Sequence, residues 1–326
     1  QVKPMKTLLL TGATGFVGSA LLTHLCAHTQ YEVRVATRSE PAADLAQTFK
    51  TFNVGDFSSS PDWGEALAGV DCVVHMAGRA NVMAREKDAL SLFRRANTDA
   101  TLELARHAIE KGVQRFVFIS SIGVNGAYTP STAFDETCPA NPHADYAISK
   151  FEAEESLKAL CDSHAMELVI IRPPLVYAAH APGNFQRLLK LASTGVPLPF
   201  GGVRNSRSMV ALENLVDFIS LCMVHPRAAN ELFLVSDGID ISTPDLVRCI
   251  GRGMGRRIVM LTIPDPMMRL MASCIGKQNL YTQLCRSLTV NSTKARQLLG
   301  WIPPVTTEHA LVQAGREYIN ARSIRS

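Results

Sequence analysis

The chain has 326 residues, 47% hydrophobic and 19% charged, enough apolar mass for one large domain or two and no low-complexity tract, which excludes a disordered protein. Its formal net charge of +4, with Arg94-Arg95 and Arg256-Arg257 as the tight basic pairs, is too small and too scattered for a nucleic-acid footprint. Eight cysteines without a CxxC spacing read as buried free thiols rather than as zinc ligands or disulfides.

The first expected element is a strand over residues 7–10, entered directly from Met5-Lys6, so no secretory leader is expected. It runs into Gly12-x-x-Gly15-x-x-Gly18 and a helix over 18–28. A glycine turn between strand and helix lets backbone approach a diphosphate closely, and the helix N-terminus adds free N–H groups and a positive dipole end. This context predicts a bound dinucleotide. The second strand, 32–37, ends at Thr37-Arg38, where a free ribose 2′-hydroxyl would be met by Asp or Glu. A guanidinium at Arg38 suits a 2′-phosphate, which favours NADP(H) and leaves NAD(H) open; a solvated surface arginine is the competing reading.

Strands at 72–75, 115–120 and 168–172 alternate with helices at 97–111 and 146–163. Strands this rich in Val and Ile belong to a sheet covered on both faces, so the fold class is α/β, a Rossmann-type doubly wound parallel sheet. Beyond residue 172 the pattern turns irregular, with proline and glycine clusters, a strand-like stretch at 232–238 and a helix-like one at 243–254. We expect a dinucleotide-binding domain over residues 5–172. Residues 173–326 should form a smaller mixed region, mainly substrate-binding, with some segments returning to the sheet. The apolar stretch 258–275 is cut by Pro264, Asp265, Pro266 and Arg269, too short to span a bilayer. Its part from Met267 to Ile275 reads as amphipathic packing within the C-terminal region of a cytoplasmic protein without membrane insertion; the alternative is that a sugar substrate sits on a polyprenyl diphosphate and this part lies against the membrane.

Tyr146 and Lys150 are four apart in YAISK and share one helix face. A phenol with an ordinary pKa of about 10 works as an acid/base near neutrality only with a cation beside it, which Lys150 can supply. The same spacing also describes plain surface pairs. The added signal is FVFISSIG, a strand whose C-terminal end brings Ser120 and Ser121 to the edge where open α/β sheets bind ligands. A hydroxyl there can hold a substrate oxygen while a tyrosine moves its proton.

TGATGFVG, HMAG, Asn97 followed by Thr101, SSIGVNG, YAISK, RPPLVY, RSMVALENLVD and NSTKARQLLGW, in this order over nearly the whole chain, resemble the extended short-chain dehydrogenase/reductases of the nucleotide-sugar epimerase and dehydratase branch. The resemblance implies that Gly12, Thr14, Gly15, Phe16, Val17 and Gly18 surround the cofactor diphosphate. Asp56 and Phe57 would flank the adenine, while Met76, Ala77, Gly78, Asn97 and Pro173 line the cofactor. It assigns a substrate hydrogen bond to Ser121 rather than Ser120, acid/base duty to Tyr146, and the nicotinamide ribose to Lys150. Arg207 would grip the sugar-nucleotide diphosphate, with Arg79, Asn184 and Arg286 as further substrate contacts.

Two departures stand out. Val124-Asn125-Gly126 replaces the common VYG and resembles reductases that make UDP-N-acetylquinovosamine for bacterial surface polysaccharides. Ala178-Ala179-His180 replaces the usual Gly-Pro, so the loop beside the sugar is expected to be rebuilt, with His180 facing substrate or solvent. Dehydratases of this branch carry an Asp-Glu pair where Ser121 is followed by Ile122-Gly123, which makes dehydration the least expected reaction. The expected activity is NADPH-dependent 4-ketoreduction of a UDP-4-keto-6-deoxy-N-acetylhexosamine; a UDP-hexose 4-epimerase with retained NAD is the alternative, and a non-catalytic NADP-binding sensor the remote one. The resemblance also implies a homodimer through the helix after Asn97 and the helix of Tyr146.

Overall fold

The five parallel strands expected from the sequence are joined by the strand-like stretch near residue 232 and by an unexpected strand over 50–53 in one seven-stranded sheet, in the order β3-β2-β1-β4-β5-β6-β9. The computed structural model describes residues 6–27, 30–80, 88–274 and 276–323. The sheet strands are β1 (Thr7–Thr11), β2 (Glu32–Thr37), β3 (Lys50–Asn53), β4 (Cys72–His75), β5 (Arg115–Ile119), β6 (Glu167–Arg172) and β9 (Glu231–Leu234). Two short strands, β7 (Leu175–Tyr177) and β8 (Met209–Ala211), pair separately. All pairings are parallel, and the order reverses between β1 and β4, the crevice where ligands bind in such sheets.

Helices of the first half are α1 (Phe16–Cys26), α2 (Ala43–Thr48), α3 (Gly64–Leu67), α4 (Ala89–Arg94), α5 (Ala100–Glu110) and α6 (Asp145–Cys161). The second half adds α7 (Asn184–Ser193), α8 (Leu212–Val224), α9 (Thr243–Gly253), α10 (Asp265–Cys274), α11 (Gln278–Cys285), α12 (Thr293–Leu299) and α13 (Thr307–Ser323). The helix expected over 18–28 starts two residues earlier and ends at Cys26; His28 lies outside the described residues, as does Met5.

Strand alternation explains the layers. Leu8, Leu10, Val74, Val117 and Ile171 point into one core under α1 and α8, while Leu9, Val73, Phe116, Phe118 and Ile170 point into the other with residues of α5 and α6. A third core joins α7, α9 and α13 in the C-terminal lobe. The stretch 232–238 supplies β9, which extends the first sheet beside β6.

Two expectations are corrected. All eight cysteines are free, but only Cys72, Cys161, Cys222 and Cys249 are buried, and Cys26 and Cys274 are exposed. The stretch 258–275 packs only in part: Ile258, Met260 and Met268 lie partly buried on the third core, but α10 buries no residue fully and its Met267, Leu270 and Met271 are exposed. Ile275 is outside the described residues.

Candidate active site

The glycine turn is dictated by contact. Gly12 has φ +74, and a Cβ there would stand 2.5 Å from the Ala77 nitrogen; at Gly18 a Cβ would run into the Gly12 carbonyl. Gly15 caps α1 with no side chain to occupy its first N–H groups. These groups open into a cleft of about 870 Å³ at the β1/β4 switch point, which Gly12, Thr14, Gly15, Arg38, Asp56 and Phe57 help to line. Met76, Ala77 and Gly78 line it as well. A cradle that a methyl group would fill, ending on an uncapped helix, fits the diphosphate of a dinucleotide.

Other assigned cofactor residues are placed differently. Gly18 lies behind the turn, and the Phe16 ring packs edge-on against His180 at 5.2 Å, tying α1 to the Ala178-Ala179-His180 loop. Val17 packs against the first core. Phe57 lines the cleft, yet its ring lies on Trp63 at 5.1 Å. Asp56 accepts from the Ser58 backbone and hydroxyl, bonds that hold its carboxyl below the usual range, helped by the charges of Arg95 and Arg38. Arg95, which the sequence reading left unassigned, lines the same cleft as Arg38. Arg79, expected as a substrate contact, lines this cleft, its backbone N–H donating to Asn97 Oδ1 at 2.7 Å.

Ser120 and Ser121 part ways at the end of β5. Ser120 is buried and donates to Glu154, whereas the Ser121 hydroxyl accepts from the Gly123 N–H at 3.1 Å, on the side where a Cβ on Gly123 would meet Ala147 of α6. Glu154, fully buried, also takes the Arg172 guanidinium, whose Nη1 donates to Asn125 Oδ1 at 2.9 Å. The asparagine of the VNG variant is therefore part of a buried ion-pair network beneath the serine. The Ile122 N–H donates to the Pro173 carbonyl, which closes this loop over β6.

Tyr146, half-buried, sets its ring edge-on to Phe93 at 6.0 Å, and burial pushes its phenol up to about 12. Lys150 is buried; its Nζ donates to the Ile119 carbonyl at 3.0 Å and lies 4.5 Å from the Phe118 ring centroid. Burial lowers this ammonium to about 8 against the opposing pull of Glu154. A Cβ on Gly78 would come within 3.4 Å of Lys150 Nζ and 3.0 Å of Asn97 Oδ1, so both face the cofactor cleft at one glycine.

Asn97 sits in a π-type turn, Arg95–Asp99, joining α4 to α5. Its Nδ2 donates to the Arg79 carbonyl and to Ser149 Oγ, both at 3.0 Å, and Thr98 donates to the Ser149 carbonyl, stapling the turn to the helix of Tyr146. A second anchor was missed by the sequence reading. Ala77 N–H donates to Thr11 Oγ1, which lies 2.6 Å from His75 Nδ1; His75 Nε2 lies 2.8 Å from Thr101 Oγ1, which donates to the Asn97 carbonyl. Only a neutral imidazole with its proton on Nε2 satisfies every group of this chain. Burial holds His75 down at about 3.

Across the lobe boundary, Arg207 is buried with no carboxylate partner among the described residues, its Nη1 donating to the Arg286 carbonyl at 2.9 Å, and burial lowers it to about 10. Arg286 lies over the Tyr128 ring at 5.3 Å. Asn184, at the start of α7, contacts Gln283 of α11, so the three substrate candidates gather around α11.

Residues 8–235 match the family described as NAD dependent epimerase/dehydratase. The chain belongs to this family. It is 40% identical over 98% of both chains to a UDP-glucose 4-epimerase of Vibrio cholerae. It is 27% identical, over 97% of this chain and 96% of the other, to an N-acetyl-alpha-D-glucosaminyl-diphospho-ditrans,octacis-undecaprenol 4-epimerase of Escherichia coli O157:H7. Among solved structures, the UDP-glucuronic acid 4-epimerase of Bacillus cereus in complex with NAD superposes with a TM-score of 0.77 at 20% identity, covering 97% of this chain and 99% of that one. A UDP-glucose 4-epimerase of Thermotoga maritima with UDP-glucose gives 0.76 at 21% identity and the same coverage. These two likenesses show the Rossmann fold that the family member shares with them.

Proposed function

We propose that this epimerase/dehydratase family member is an NADPH-dependent 4-ketoreductase of a UDP-4-keto-6-deoxy-N-acetylhexosamine, of the kind that yields UDP-N-acetylquinovosamine. The observation that carries the reading is the pair Arg38 and Arg95, both lining the cofactor cleft and both felt by Asp56, at the end where a 2′-phosphate would lie. When bound, the nicotinamide supplies the hydride that reaches C4. Gly12, Gly15 and the first turn of α1 hold the diphosphate, and Lys150 and Asn97, meeting at Gly78, orient the nicotinamide ribose. Ser121 holds the C4 oxygen while Tyr146 gives it a proton. A phenol kept protonated by burial is in the state from which a ketone-reducing acid must start. Arg207, with no carboxylate partner among the described residues, takes the sugar diphosphate, and Arg286 and Asn184 border it. A homodimer through α5 and α6 belongs to the same proposal.

A second reading, 4-epimerisation of a UDP-hexose with retained NAD, draws on the name of the Vibrio cholerae relative. One experiment separates the two. The purified protein is denatured and any released dinucleotide identified by mass; the native protein is then given NADPH with the UDP-4-keto sugar. Stoichiometric loss of NADPH and ketone, abolished in Tyr146→Phe with NADPH binding intact, is the expected result. Tightly held NAD, with interconversion of UDP-glucose and its C4 epimer and no net oxidation, would replace the reductase by the epimerase. NADPH binding with no turnover of either substrate would leave a sensor.

A further inference from the structure

Among the described residues, exposed apolar side chains and basic ones outside any ion pair coincide on α10 and the segments next to it in the chain or paired with them. Of the twelve large apolar side chains exposed among the described residues, Met267, Leu270 and Met271 stand on α10, Val259 and Leu261 lie in the segment that leads into it, and Leu191 and Val196 lie at the end of α7 and in the loop after it, just before the residues that pair with that segment. Positions 267, 270 and 271 share one helix face, and Met268 is the side chain by which the helix holds to the lobe. The neighbouring segments are joined by backbone: Leu198 N–H donates to the Val259 carbonyl and Leu261 N–H to the Leu198 carbonyl. Arg256 reaches the Ser193 carbonyl.

Charge follows the same boundary. Residues 184–204 hold Arg187, Lys190 and Arg204 with no carboxylate; residues 255–286 hold Arg256, Arg257, Arg269, Lys277 and Arg286 against Asp265 alone. Their excess is larger than the +4 of the whole chain, so the remainder is net negative. None of these eight cations is ion-paired among the described residues, and Asp265 is engaged by the Tyr281 hydroxyl.

We propose that this face, centred on α10, docks the protein on an anionic membrane surface. A short amphipathic helix with aliphatic and methionine side chains on one face, surrounded by arginine and lysine, lies in the interface plane and draws on both apolar burial and attraction to acidic headgroups. A second copy is a poorer occupant, because a two-fold contact would set this cationic surface against itself. Docking is peripheral, since no helix among the described residues is long and apolar enough to cross a membrane. It would bring α11 and the Arg207–Arg286 contact, the diphosphate end of the candidate site, close to the headgroups. The inference stands whichever C4 reaction the protein performs.

The test is co-sedimentation of the full chain, loaded with NADPH, with vesicles of phosphatidylcholine containing about one part in three phosphatidylglycerol, against pure phosphatidylcholine. Binding to the anionic vesicles alone is expected, falling about tenfold or more in Met267→Asp/Leu270→Asp and in Arg257→Glu/Lys277→Glu, and released by salt of about 0.5 M. The charge-reversed pair keeps the test decisive if the apolar pair fails to fold, which circular dichroism would register. No binding to anionic vesicles, or equal binding to both kinds, overturns the proposal. So does a wild-type dimer that the Met267→Asp/Leu270→Asp protein loses in sedimentation, which would give the face to a second copy.

Discussion

Helix α6 buries a lysine and a glutamate, while α10 leaves two methionines and a leucine in water. Each reverses the ordinary partition of residue types, and for opposite reasons. In α6 the charges are inside because every one has a counterpart: Glu154 has Arg172 and Ser120, and Lys150 has the Ile119 carbonyl and the Phe118 ring. In α10 the apolar groups are outside because nothing among the described residues covers them. The first helix shows what a site costs in internal partners, the second what a surface offers to an external one.

The contrast breaks most sharply at Glu154. Glu154→Gln leaves Arg172 as an uncompensated buried cation, and we expect a loss of about 3–5 kcal/mol in denaturant unfolding, without a comparable change when Arg172 and Glu154 are replaced together by apolar residues of similar volume. A loss below about 1 kcal/mol would mean that the network is solvated and that α6 is no more constrained than α10.

His75 sharpens the comparison through acid. Its proton-binding is held down at about 3 in the fold, whereas the unfolded chain titrates near 6.5. The unfolded state therefore binds more protons between those limits, and this residue makes stability fall as pH drops, by up to about 1.4 kcal/mol per pH unit below 6.5. Unfolding free energies measured from pH 7 to pH 5 should show that slope in the native chain. In His75→Leu the contribution disappears, along with some fixed stability from the lost Thr11 and Thr101 bonds.

How much of this was legible follows from where the partners lie in the chain. The glycine turn and the sheet were readable because strand alternation and Gly12-x-x-Gly15-x-x-Gly18 are local patterns. Tyr146 and Lys150 are singled out by their spacing, whereas the choice of Ser121 over Ser120 rests on the resemblance. The buried network was not: Glu154 follows Lys150 by four residues on the same helix face, but its partner Arg172 lies eighteen residues on, and only the register of β6 brings them together. A hint existed in His75 and Arg172, polar residues ending otherwise apolar strands. The short edge strand β3, half-exposed and without alternation, gave no comparable signal. Within 258–275, apolar content does not separate Ile258, Met260 and Met268, which pack, from Met267, Leu270 and Met271, which do not, because whether a side chain finds a partner is decided by tertiary contacts.

A third test touches the lysine at the seam of α6 and the cofactor cleft. Because burial depresses Lys150 to about 8, it loses its proton as pH rises past that value, and with it the charge proposed to hold the ribose and tune Tyr146. The kcat/KM for ketoreduction should decline above pH 8, approaching tenfold per unit. Its own contribution to stability runs the other way: between about 8 and 10.5 the unfolded chain binds the extra proton, so stability from this group rises with pH. Activity falling while unfolding free energy holds or rises would separate a titrating site from simple alkaline denaturation.

The smallest expected effect is the one on which α10 depends. Met267 is 54% exposed and belongs to a helix that buries none of its residues, so Met267→Asp removes little packing and places its charge in water. Unfolding free energy should change by no more than about 0.5 kcal/mol. The new carboxylate also stands on a cationic face, which offsets part of any loss in helix propensity. A penalty above about 2 kcal/mol would mean that the methionine is packed in solution. The difference between α6 and α10 would then be one of degree, and the apolar surface offered to a membrane would not exist. Near-neutrality leaves α10 as a helix whose sequence is not explained by the fold it belongs to, and the vesicle experiment then asks what its apolar face is for.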